Sequence, residues 1–145
     1  MLNAFSFLFE REEISPEIVR NIMLYCLDCY GAEGTPGKSG TSRAAMMFLC
    51  NWLNGFGGIH HLPVSGRYLS GRSVFLGQNS YLNDTLMRGG AVVVRLYYDE
   101  PHYVLLTGIS PEEIYALGPC DGREAVLLFN EQTRVTPEKA IEYFI

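Results

Sequence analysis

Residues 91–109 read AVVVRLYYDEPHYVLLTGI. Two runs of β-branched and aromatic residues, Ala91–Tyr98 and His102–Ile109, flank the acidic, proline-bearing link Asp99-Glu100-Pro101. Such runs favour a pleated, buried surface. Downstream, Glu113–Leu117 follows a Ser110-Pro111 turn, and Glu124–Phe129 supplies a fourth strand. The strand faces carry little charge, which predicts cover on both sides.

Upstream of this stretch the apolar period becomes helical. Ser15-Pro16-Glu17 reads as a helix start, with a cap, a first-turn proline and an acid against the dipole. Ile18, Ile22, Tyr25/Cys26 and Cys29 continue at helical spacing until Gly31. A glycine-rich loop, Gly31–Gly40, leads to a second helix from Thr41 or Ser42 to about Leu53. Ala44–Cys50 and Trp52 are apolar almost all round, which predicts a buried central helix. Gly55–Gly77 reads as loop. Asn79 or Ser80 caps a short helix that carries Leu82 and Leu86 and stops at Gly89-Gly90. Thr136-Pro137-Glu138 opens a last helix to Phe144. Helices first and an antiparallel sheet afterwards give the α+β class.

The chain has 145 residues, enough for one domain over 1–145 with its own core. Apolar residues at 48% and charged residues at 19% exclude disorder and a coiled coil. The net charge of −5, without a basic run, argues against nucleic acid as a partner. Met1–Phe9 is apolar but short and lacks a basic lead, and no run reaches the ~18–20 apolar residues of a membrane span. The expectation is a cytoplasmic protein, away from membranes, with reduced thiols. Cys26, Cys29 and Cys50 are then read as small buried hydrophobes.

Several motifs touch on chemistry. Gly37-Lys38-Ser39 resembles the end of a phosphate loop, but Ala32 stands where the first glycine is needed, and a helix rather than a strand precedes it. His60-His61 has no partner Cys or His at zinc spacing, so no metal and no cofactor is expected. Cys26 and Cys29 form a CxxC at a helix C-terminus, where the dipole opposes a thiolate. His102 opens a strand after the acidic link. There it can meet a group at the N-terminus of a buried helix, which is how a Cys–His enzyme is built.

The segment from Leu82 to Ile109, LNDTLMRGGAVVVRL through PHYVLLTGI, resembles papain-like cysteine peptidases of the bacteriocin (double-glycine) leader-peptidase type, a bacterial family. FLCNWLN at 48–54 resembles that family's central helix, and TPEKAIEYF at 136–144 its closing helix. The resemblance covers about residues 38–145. It implies a papain-like fold, a helical half with a buried central helix packed on an antiparallel sheet, and His102 as the family histidine. It also implies a nucleophilic cysteine just before the central helix. That position falls at Thr41 counting from Asn51, or at Ser39 matching the following glycine, with Ser42 beside it. None is cysteine. Glu33–Lys38 contains no glutamine for the oxyanion hole, and Gly118-Pro119 replaces the orienting acid.

The resemblance therefore implies a pseudoenzyme, a degenerate peptidase-like domain that binds a peptide or another protein without cutting it. Loss of the orienting group alone removes about four orders of magnitude from a triad. An active hydrolase would pair His102 with Ser39, Thr41 or Ser42. Alternatively it would use Cys120, which a hairpin centred on Ser110–Glu112 sets opposite His102. A third reading is an assembly module using Tyr97, Tyr98 and Tyr103. The oligomeric state is left open.

Overall fold

The computed structural model describes residues 1–10, 13–26, 28–29, 33–34, 40–98, 100–109 and 124–130; at 97, 98, 100–102 and 130 it describes the backbone alone. Ser39, Cys120, the expected strand at 113–117 and the expected closing helix lie outside these residues.

Among the described residues, three helices are followed by a strand, a fourth helix and three further strands, an α+β arrangement. Helix α1 (Leu2–Phe9) buries Ala4, Phe5 and Leu8. By its sequence alone this stretch reads only as a short apolar start. Helix α2 (Pro16–Tyr25) begins as expected at Ser15-Pro16-Glu17 and buries Ile18 and Ile22, although the Ser15 side chain makes no cap bond. It ends earlier than the spacing implied. Cys26 turns into extended backbone at φ −72°, ψ 154°, so Cys29 stands beyond the helix.

Helix α3 (Arg43–His60) starts at Ser42 and buries Ala45, Met46, Leu49, Cys50, Leu53 and Gly57. Two expectations fail here. The helix runs well past Leu53, through glycines that weaken an isolated helix. It also has a wet face: Met47 and Phe48 are exposed, Phe48 by 56%. Helix stability in a protein comes mostly from the packed face, and at Gly57 that face leaves no room for a side chain. A Cβ there would lie 3.0 Å from the carbonyl oxygens of Leu62 and Val64.

The segment read as loop after Gly55 instead holds strand β1 (Val64–Ser70) and a 3-10 turn (Gly71–Ser73). Helix α4 (Tyr81–Met87) agrees with the sequence. Ser80 caps it through Leu82 N and Asn83 N, and Gly89 takes φ 75° just past its end. Strand β2 (Ala91–Tyr98) spans the expected residues; β3 (Glu100–Leu106) starts and stops earlier than expected, and β4 (Glu124–Asn130) gains one residue.

The sheet order is β1-β4-β2-β3, with every neighbour antiparallel. One face packs α1, α2 and α3 against Val64, Ala91, Val93, Val126 and Leu128. The other packs Val74 and the α4 residues Leu82 and Leu86 against Leu69, Val92, Val94, Ala125 and Leu127. Cover on both sides is what the low charge predicted. Among the described residues, no helix is long and apolar enough to cross a membrane.

Candidate functional site

The start of α3 brings several polar groups together. Ser42 stands at the N-cap in extended backbone, and its Oγ accepts from Ala45 N at 3.1 Å. That hydroxyl also donates to Asp28 Oδ2 at 2.5 Å, while Ser42 N donates to Asp28 Oδ1 at 2.6 Å. A carboxylate is favoured at a helix N-terminus, where unpaired N–H groups and the dipole converge. Asp28 is exposed, and slight desolvation at the helix start acts to raise its pKa. Bonds from the Ser42 hydroxyl and amide, its own amide and the Cys29 thiol outweigh this and hold it below the usual carboxylate range. Cys29 N donates to Gly40 O at 3.1 Å, a second tie between residues 28–29 and 40–42.

Thr41 hydrogen-bonds to the Cys26 thiol. Burial pushes that thiol's pKa up, and the nearby Met1 ammonium and the Thr41 bond only partly oppose the shift. Cys26 and Cys29 are half-buried, not fully buried as the sequence suggested; Cys50 is 1% exposed. Burial lifts the Cys50 thiol to about 11, so it is a packing group.

One residue further, Arg43 reaches the sheet. Its Nε donates to Glu124 Oε1. Glu124 is 1% exposed, whereas the Arg43 side chain is 54% exposed. Glu124 Oε1 also receives Arg95 Nη1 at 3.5 Å, and Oε2 receives the Tyr103 hydroxyl at 3.4 Å. Tyr68 bonds to the same carboxylate. Strand register explains the gathering. Arg95 pairs with Glu124 on one side and with Tyr103 on the other, and Tyr68 pairs with Val126, two residues beyond Glu124. Side chains two apart share a face, so β1, β4, β2 and β3 each contribute one group. Burial, then the Glu124 charge, pushes both tyrosine hydroxyls upward in pKa. They act as neutral hydrogen-bond donors. Tyr103 is half-buried in this network, not an exposed interface aromatic.

The sequence pointed to Ser42 and Thr41, and the structure places them side by side at the helix start. His102 pairs through its backbone with Leu96 in the β2–β3 ladder. The β3 side chain that reaches the Glu124 carboxylate is Tyr103. Asp28, Arg43, Arg95 and Glu124 were missed. The available signals were a lone arginine inside AVVVRLYY and a glutamate sharing a face with Val126 and Leu128. His60 is exposed and tilted on Phe56 at 4.3 Å between ring centroids. His61 takes a left-handed turn at φ 54°. Among the described residues, no three His, Cys, Asp or Glu side chains gather as metal ligands.

Compared with family models, curated proteins and solved structures, the chain matches none.

Proposed function

We propose that this chain is a peptide- or protein-binding domain of papain-like architecture that does not hydrolyse what it binds. One observation carries the reading: the Ser42 hydroxyl is committed as a helix cap. It donates to Asp28 and accepts from Ala45 N. A nucleophilic hydroxyl needs a base positioned to take its proton. Here the proton points at a carboxylate whose lowered pKa makes it a weak base. Thr41, a second candidate, is engaged with the Cys26 thiol, and Ser39, the third, lies outside the described residues.

The test is parallel reaction with a fluorophosphonate and with iodoacetamide, mapped by mass spectrometry. No selective labelling at Ser39, Thr41, Ser42 or Cys120 is expected. Labelling at any of them that disappears in His102→Ala would establish a working nucleophile and overturn the reading. For the binding half, a randomised hexapeptide mixture added to 15N-labelled protein should shift the amides of Thr41–Ala45 and Tyr103. An unchanged spectrum removes the peptide ligand.

Assembly is the second reading, favoured by a different surface from the one the sequence suggested. Leu24, Met47 and Phe48 are exposed, and Phe48 stacks with Tyr25 at 6.4 Å between centroids.

A further inference from the structure

A border strand presents unpaired N–H and C=O groups that invite another strand. Strand β1 lies at one border of the described sheet. In an antiparallel pair, opposed residues alternate between exchanging two backbone bonds and exchanging none. Gly66, opposite Leu128, spends both its groups elsewhere. Its N–H donates to Asn54 Oδ1 and its C=O accepts from Asn54 Nδ2, each at 2.8 Å. These groups therefore face away from β4, off the sheet. A side-chain carboxamide has the donor and acceptor of a peptide unit. Asn54 thus stands where a residue of a fifth strand would stand.

Helix α3 is shaped to hold it there. Cys50, one turn before Asn54, lies so close over Gly66 that a Cβ at residue 66 would meet Cys50 Sγ at 3.0 Å. Beyond Asn54, the missing side chain of Gly57 lets the helix touch the Leu62 and Val64 carbonyls. Three positions on one helix face bring α3 along the β1 border, and the polar one of the three closes it.

We propose that Asn54 is an edge guard that keeps the β1 border of this chain from pairing antiparallel with the β1 border of a second copy. Two-fold pairing of identical borders is the simplest closed association open to a free edge. The partner named under the preceding reading plays no part in this inference.

Two measurements test it. In the wild-type chain, a through-hydrogen-bond NMR coupling between Asn54 Nδ2 and the Gly66 carbonyl should be seen; its absence in a folded sample overturns the proposal. In Asn54→Ala, Gly66 amide exchange at low micromolar concentration should be about tenfold faster than in wild type. It should then slow as concentration rises, with sedimentation mass moving above that of wild type. Asn51→Ala, on the exposed face one turn earlier, should leave both readings unchanged. Asn54→Asp keeps an acceptor for Gly66 N–H and sets like charges across the two-fold, so its mass should equal that of wild type. The proposal fails if N54A keeps the wild-type mass and Gly66 protection. It fails equally if N54D or N51A associates as strongly as N54A, since general destabilisation would then be the cause.

Discussion

Glu124 is a carboxylate that water does not reach, held by groups from four other elements. Removing one member of a buried pair leaves the other charges uncompensated, which is worse than never having the pair. Glu124→Gln should therefore lower unfolding stability by about 3 kcal/mol, read from the urea midpoint at unchanged slope. Ser42→Ala should cost about 1 kcal/mol through the lost cap, measured by thermal unfolding. Asp28 adds a pH signature. Its carboxyl is depressed in the folded state, so its contribution is present above about pH 4, the unfolded value, and is lost as pH falls through the lower folded value. The melting temperatures of wild type and Asp28→Asn should differ at neutral pH and converge in acid. An equal gap at both ends would mean that the charge of Asp28 is idle. At this scale the sequence showed Ser42 and Thr41, because a cap residue marks the helix start. It did not show Arg43 with Glu124, because the two lie 81 residues apart and no local pattern links them.

Helix α3 and strand β1 illustrate how packing overrides local preference. The start of α3 was readable from Ser42, but its last two turns contain Gly55, Gly57 and Gly58, which argue against a helix when taken alone. β1 was hidden for the same reason: Gly66 and three serine or arginine positions dilute its pattern. The close approach of helix and strand accounts for Gly57 on the one and Gly66 on the other. Gly66→Ala would set a Cβ 3.0 Å from Cys50 Sγ and 3.2 Å from Leu128 Cδ2. Such overpacking should cost about 1–3 kcal/mol. Adding Cys50→Ala should recover about 1 kcal/mol of that loss, a coupling that a double-mutant cycle in urea measures directly. Additive effects would mean that the contact is slack. By contrast β2 and α4 were legible almost to the residue, since their apolar pattern and their caps agree.

Across the whole molecule, a sheet covered on both faces leaves Cys50 in the layer on the α3 side, against Gly66. With its thiol lifted to about 11, Cys50 should resist iodoacetamide until the chain unfolds, while the half-buried Cys26 and Cys29 remain open to the reagent's approach. Alkylation of Cys50 faster than global unfolding would reveal local opening of α3 from β1. The α+β class was legible because helical and alternating periods occupy different parts of the chain. The strand order was not, because β4 joins β1 across most of the sequence between them. That order has a consequence for biosynthesis. Among the described strands β4 is the last to leave the ribosome, yet it belongs between β1 and β2. Until residues 124–130 emerge, the nascent chain carries the β2–β3 hairpin and β1 with the strand that joins them still missing. The two inner borders that await β4 are then the surfaces a chaperone would shield.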